Sequence, residues 1–212
     1  AGLPPEHAAQ LAQLAAADAE MRTMIAEIEE GARRLTDLVL ALKSYAFLDQ
    51  APIQNVDITK GIDDTLLILA AKTKDIEITT DYADDLPTIT AHGSQLNQVW
   101  TNLIDNAADA IHDSGTKPGW ITITVRRDGD MIWVEVANGG PTIPPEIADR
   151  IFEAFYTTKE PGRGTGLGLD TAYRIVTTDH RGTLDVASED GVTTFTVRVP
   201  IELDGAPRGE GS

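Results

Sequence analysis

Two asparagines one helical turn apart, Asn102 and Asn106, offer carbonyl oxygens from one face of a helix-patterned segment, residues 94–112. Gln95, Gln98 and Asp109 extend that polar stripe, opposite an apolar stripe of Leu96, Val99, Leu103, Ala107, Ala110 and Ile111. A merely solvated helix face carries Glu, Lys and Arg, which favour helix; asparagine does not. Carbonyl and water oxygens are what Mg²⁺ accepts, with substrate phosphates completing its octahedron. Two glycine-bearing segments supply the other half of such a site. Residues 137–146 (ANGGPTIPPE) follow a strand pattern directly, and their glycines let backbone approach a ligand closely. In residues 161–176 (PGRGTGLGLDTAYRIV), glycines and Thr165 run into the start of an amphipathic helix. Backbone N–H groups at a helix start attract phosphate, and Lys159 and Arg163 stand beside them as cationic partners for a polyphosphate. A Walker A loop is absent, since no GxxxxGK[ST] string occurs.

The elements that position these segments follow from periodicity. Asp57 caps a helix expected over 58–72, and IEITTDY (76–82) reads as a strand. Leu86-Pro87 breaks the chain before a short strand at 88–90. WITITVRR (120–127) and MIWVEVA (131–137) alternate as strands joined by a hairpin at Asp128-Gly129-Asp130. Residues 138–165 form a long Gly/Pro/Thr-rich loop with one short helix at 145–150, and a loop of that length in a compact domain is functional more often than idle. Residues 166–180 read as helix, and GTLDVASED and GVTTFTVRVP as closing strands. The result is an α/β sandwich, a mixed and mostly antiparallel sheet covered by helices on one face.

Residues 5–48 hold no proline after Pro5 and read as a long helix. Met21, Ile25, Ile28, Ala32, Leu35, Val39, Leu42 and Ala46 alternate spacings of four and three, a heptad seam that wants a partner helix in a dimer or bundle. The expected organisation is a helical dimerisation segment over 1–50, a globular domain over 51–203 and a disordered Gly-rich tail over 204–212. With 17 Lys+Arg against 34 Asp+Glu the net charge is −17, which repels nucleic acid and anionic membrane. There is no cysteine, so disulfides, zinc–thiolate sites and cysteine nucleophiles are excluded. No apolar run reaches the roughly 18 residues of a membrane span.

NQVWTNLIDNAADAI resembles the N box of the histidine kinase catalytic domain. VEVANGGPTIPPEIADRIFEAFYTTK resembles the first glycine box followed by the F box, and GRGTGLGLDTAYRIV the second glycine box. The boxes stand in family order and spacing over about residues 57–200. The resemblance implies the Bergerat ATP-binding fold of the gyrase–histidine kinase–MutL superfamily. It implies that residues 138–165 are an ATP lid, and that the heptad helix is the second helix of the kinase dimerisation hairpin.

Carried over residue by residue, the resemblance makes Asn106 the Mg²⁺ ligand and Asn102 a phosphate or metal-shell contact. It sets Gly140 against adenine, makes Phe152 and Phe155 anchors of the lid, and has Thr165, Gly166, Leu167 and Gly168 cradle the phosphates. Asp109, Asn138, Ile143, Lys159, Arg163 and Gly164 join the implied nucleotide contacts, and Asn102, Asn106 and Lys159 form the implied catalytic set. ATPases of the superfamily place a water-activating Glu one turn before the metal asparagine. Asn102 holds that position here and cannot act as a general base, which favours phosphoryl transfer over hydrolysis.

The sequence departs from the family pattern twice. Where the family reads adenine with the Asp of DxGxG, this chain has Asn138-Gly139-Gly140-Pro141-Thr142. The acceptor string HE-x-x-NP is absent, and His7 does not replace it, while His92, His112 and His180 read as surface or capping residues. The expected protein is the cytoplasmic catalytic domain of a sensor histidine kinase. It would bind ATP and Mg²⁺, dimerise through the heptad helix, and have as partner a response-regulator receiver domain; the acceptor histidine would lie upstream. The alternatives are a degenerate kinase that senses or scaffolds, a hydrolase of the superfamily, and an anti-sigma-type serine kinase.

Overall fold

A computed structural model describes residues 53–148, 150–159 and 166–203, together with residues 20–22, 24, 25 and 28. That last group is helical and belongs to the first of two compact units, Ala1–Leu40 and Ala41–Ser212. The rest of the heptad seam and the 204–212 tail lie outside the described residues.

In the second unit a five-stranded sheet runs in the order β2-β4-β5-β7-β6. Strand β2 (Ile76–Tyr82) lies parallel to β4 (Gly119–Asp128). All the other pairings, β4 with β5 (Met131–Gly139), β5 with β7 (Val192–Pro200) and β7 with β6 (Thr183–Glu189), are antiparallel. A parallel pair needs a long crossover. Here the crossover from β2 to β4 carries β3 (Ile89–Ala91) and the helix α3 (Gly93–Ser114), and β3 pairs with β1 (Gln54–Val56) in a separate two-stranded sheet. Alternate sheet residues Ile121, Ile123, Val125, Ile132, Val134, Val136, Phe195, Val197 and Val199 are buried under the helices. Their neighbours Thr122, Thr124, Trp133 and Glu135 face the other way and are half-buried. The strict alternation is what a sheet covered on one face requires.

Helix α1 (Ile58–Ile68) starts where Asp57 accepts the Lys60 N–H at 3.1 Å, the expected cap. It does not run on to residue 72. The backbone of Leu69 leaves the helical region (φ −85°, ψ 2°), and a separate turn, α2 (Ala70–Thr73), follows. The break swings Lys72 toward α3. Helix α3 is two to three residues longer than its apolar pattern implies and stops at Gly115, whose φ of 66° is the left-handed helix end. Two-residue turns join β4 to β5 at Gly129-Asp130 and β6 to β7 at Asp190-Gly191. A short helix α4 (Pro145–Ala148) follows β5, and α5 (Gly168–Arg174) continues as a π-helical turn, Ile175–Asp179. The expected helix over 166–180 is present over 168–179, with its second half wound as a π-helical turn. The backbone N–H and the ring Nδ1 of His180 both bond the Ile175 carbonyl, at 3.1 and 2.9 Å, and wind the last turn wider.

Candidate functional site

The polar stripe of α3 meets a different segment at each of three successive turns. At Asn102 it meets the start of α5: a Cβ placed on Gly168 would stand 3.4 Å from Asn102 Oδ1. At Asn106 it meets Lys159, which stands two residues before the second glycine segment and whose Nζ donates to Asn106 Oδ1 at 3.2 Å. At Ala110 it meets the loop after β5: a Cβ on Gly140 would stand 3.8 Å from Ala110 Cβ. The three contacts are spaced by four residues, so the groove runs about 12 Å along the helix.

Charge gathers at the middle of this groove. Lys159 Nζ also donates to Asp109 Oδ2 at 2.5 Å. From the other side Lys72 Nζ reaches Asp109 Oδ1 and Asp105 Oδ1, both at 2.5 Å. Burial pushes the Asp109 carboxyl up, but the hydrogen bonds and charges of Lys159 and Lys72 outweigh it and hold it below the usual carboxylate range. Burial pushes the Lys72 amine down, and Asp105 and Asp109 outweigh that in turn, leaving it above its ordinary value. Asp109 is thus a fixed anion between two cations. The sequence points to Asp109 and Lys159 but not to Lys72, which arrives from a helix 33 residues before Asp105 and has no local signal.

At one end Asn138 is 2% exposed, and its Nδ2 donates to the Gly139 carbonyl at 3.2 Å. The amide carbonyl Oδ1 is thereby left to accept. Ala110, assigned by its spacing to the apolar stripe, is half-buried and lines the groove instead. The Ile143 N–H donates to Ser188 Oγ at 2.8 Å, so this residue reaches the β6–β7 hairpin. At the other end Asn102 Nδ2 is buried with no hydrogen-bond partner among the described residues. A buried orphan donor costs free energy unless a ligand completes it.

The aromatic pair divides. Phe152 packs on Tyr173 and Phe195, with ring centroids at 5.1 and 6.4 Å, as an anchor should. Phe155 is 74% exposed, so its ring anchors nothing among the described residues. Its contact is through backbone: the Phe155 N–H donates to the Gly166 carbonyl at 2.9 Å. Gly166 has a φ of +65°, and a Cβ there would run into the Phe155 backbone, so the position needs glycine. Leu167 is exposed just before α5. Arg163, Gly164 and Thr165 lie outside the described residues.

His180 takes the capping role the sequence allowed, at the end of the turn Ile175–Asp179, and does so from a buried position. It is 1% exposed; Nδ1–H donates to the Ile175 carbonyl and Nε2 accepts the His92 N–H at 3.1 Å, tying the end of α5 to the start of α3. His112 Nε2 bonds the Lys72 carbonyl at 2.9 Å, a capping role as expected.

Residues 91–203 match the family of histidine kinase-, DNA gyrase B- and HSP90-like ATPases. The chain belongs to this family. It is 33% identical over 193 residues to the sensor kinase CckA of Brucella abortus, covering 83% of this chain and 20% of that protein. It is 32% identical over 195 residues to the sensor histidine kinase ZraS of Escherichia coli, covering 91% of this chain and 40% of that one. The chain therefore spans between 20% and 40% of the length of these curated relatives. The catalytic domain of histidine kinase ThkA superposes with a TM-score of 0.64 at 26% identity, over 72% of this chain and 97% of that one. Full-length ShkA in complex with AMPPNP superposes with a TM-score of 0.62 at 29% identity, over 89% of this chain and 40% of that one. The five-stranded sheet and its helices are the fold of the histidine kinase catalytic domain, and this chain carries that ATPase domain. Among the described residues no helix is long and apolar enough to cross a membrane.

The groove's chemistry suits Mg²⁺ and a nucleotide. Asn106 Oδ1 is a hard carbonyl oxygen already facing a cation. Asn102, which lies beside the start of α5, has an unspent donor in Nδ2, and Lys159 supplies positive charge.

Proposed function

We propose that this domain binds Mg-ATP along α3 and passes the γ-phosphoryl group to a histidine not present in this chain. The observation that carries the reading is the sequence of contacts on one helix: Gly140 at Ala110, Lys159 at Asn106, Gly168 at Asn102. A groove closed at one end by Asn138 and Gly140 and at the other by Asn102 and the start of α5 has the order of a base and a polyphosphate. Asn106 Oδ1 would hold the metal, and Mg²⁺ bound there supplies neutralisation of charge on the phosphates. Asn102 donates to a phosphate oxygen, Lys159 shifts from Asn106 to the phosphates, and Gly166, Leu167 and Gly168 give backbone N–H groups. In the same reading Thr165, Gly164 and Arg163 complete the phosphate contacts. Asn102 has no basic group to activate water, which favours transfer over hydrolysis.

The same reading makes the parent protein a cytoplasmic kinase, where ATP is abundant, dimeric through the heptad helix and serving a receiver domain. Calorimetry with Mg-ATP tests it. Asn106→Ala should lose tenfold or more in affinity, and equal affinity overturns the assignment. The isolated chain should not label itself with phosphate; an acid-labile label lost in His7→Ala would place the acceptor wrongly. Asn138, standing where the resembling kinases have Asp, favours a second reading, a domain that binds nucleotide weakly and acts as sensor or scaffold.

A further inference from the structure

The loop that follows β5 is held by the β6–β7 hairpin at three points. The Gly140 N–H donates to the Gly191 carbonyl at 2.9 Å. The Gly191 N–H donates to Thr142 Oγ1 at 3.0 Å. The Ile143 N–H donates to Ser188 Oγ at 2.8 Å, and that hydroxyl pairs with Thr193 Oγ1, also at 2.8 Å. Regular pairing between β5 and β7 ends at Gly139 opposite Val192. Beyond that point two side-chain hydroxyls take over as acceptors where backbone carbonyls would serve in a strand.

The hairpin is the rigid partner. Asp190 and Gly191 both have positive φ, 51° and 78°, the two-residue turn that fits the twist of paired strands. Both backbone polar groups of Gly191 are spent on residues 140–142. The loop, by contrast, carries Pro141 and Pro144 and has no ladder of its own.

We propose that Thr142 and Ser188 are positioning residues for the base end of the nucleotide groove. Their hydroxyls fix residues 140–143 to the hairpin and so hold Gly140 in place opposite Ala110, beside the sheet-held Asn138. A loop already held costs the ligand no ordering on binding. The inference rests on the nucleotide-binding reading and deepens it. The clamp lies two turns of α3 away from Asn102 and Gly168, so it acts on the base and not on the γ-phosphate.

The test is Thr142→Val, which keeps the shape and removes the acceptor, with Thr142→Ser as the conservative rescue and Ser188→Ala as the second site. ATP and ADP are titrated into each by calorimetry, melting temperature is recorded, and amide exchange at Gly191 is followed by NMR without nucleotide. Thr142→Val should weaken ATP and ADP by the same factor, roughly two- to tenfold, the worth of one neutral hydrogen bond. Thr142→Ser should restore both, Ser188→Ala should act like Thr142→Val, melting should stay level, and Gly191 exchange should quicken in Thr142→Val. Parent-like binding of both nucleotides by Thr142→Val, or a loss confined to ATP, overturns the proposal. If the parent chain binds neither nucleotide, the nucleotide reading fails; Gly191 exchange then judges the clamp separately, and unchanged exchange overturns it.

Discussion

Lys159 donates to Asn106 Oδ1 at 3.2 Å, the oxygen that faces the centre of the groove and is suited to a divalent cation. On the proposed reading a Mg²⁺ at that oxygen would stand close to the Lys159 ammonium, and the two positive charges repel, so metal and Lys159 compete there. Lys159→Met keeps the length of the side chain and removes the charge. Two opposite effects follow. The Mg²⁺ concentration for half-maximal ATP binding should fall, because the competitor is gone. ATP affinity at saturating Mg²⁺ should fall by roughly ten- to a hundredfold, because a charge-assisted bond to phosphate is lost. Titrating Mg²⁺ and ATP separately by calorimetry checks both, and a variant with both values unmoved would remove Lys159 from the site.

Gly166 and Phe155 form a tight backbone contact, and Gly166 has left-handed φ. Gly166→Ala puts a methyl into the Phe155 backbone at a strained dihedral. The expected loss is ~1–3 kcal/mol of local stability, spent on the segment before α5 and not on the sheet. Limited proteolysis should show faster cleavage between residues 153 and 167, with the urea midpoint little changed. A cleavage pattern identical to the parent would count against this contact.

His180 sets a pH dependence of stability. Burial lowers its pKa from the usual 6.5; the Ile175 carbonyl opposes this more weakly, and the net shift is downward. Protonating Nε2 would also destroy the acceptor for the His92 N–H. The unfolded chain takes up a proton below about pH 6.5 and the folded chain does not, so stability falls as pH drops from there toward the folded pKa. The slope from this one group is at most about 1.36 kcal/mol per pH unit. Asp109 works in a separate window. Its folded pKa is below 3.8, so its contribution is complete above that value and is lost as pH falls through the folded pKa. Urea unfolding between pH 8 and pH 5 lies outside the Asp109 window and should show the His180 slope, and His180→Gln should reduce it.

The groove was legible where chemistry repeats along one element. Asn102, Asn106 and Asp109 share a helix face, and their period of three and four is visible in any linear reading. Contacts that join distant elements left no such trace. Lys72 reaches Asp109 because Leu69 breaks the helix, and nothing in AAKTK announces the break. His180 reads as a surface or capping residue, and it does cap the last helical turn; its burial depends on finding the Ile175 carbonyl and the His92 N–H at once. Ala110 reads as core because alanine is apolar, though its small size is what admits Gly140. The Asp190-Gly191 pair did carry a turn signal, but its hold on the loop at Thr142 depends on strands meeting across the sheet.

On the proposed reading Asn138 sets how well the base is recognised. Its Nδ2 is committed to the Gly139 carbonyl at 3.2 Å, which leaves Oδ1 to accept an adenine amino proton. A neutral acceptor is worth ~0.5–1.5 kcal/mol, against ~1.5–3 for a carboxylate. Asn138→Asp should therefore gain about 1 kcal/mol, roughly five- to tenfold in ATP affinity. Asn138 itself is buried, so burial of the new charge takes back part of that gain. GTP behaves differently. An amide can turn and offer Nδ2 to a guanine carbonyl, at the expense of its bond to Gly139, whereas a carboxylate has no proton to offer. The present chain should thus discriminate weakly between ATP and GTP, and Asn138→Asp should tighten ATP while leaving GTP unchanged or weaker. Paired titrations of both nucleotides into both proteins check this. If Asn138→Asp binds ATP no better, adenine is not read at this position, and the balance moves toward the sensor or scaffold.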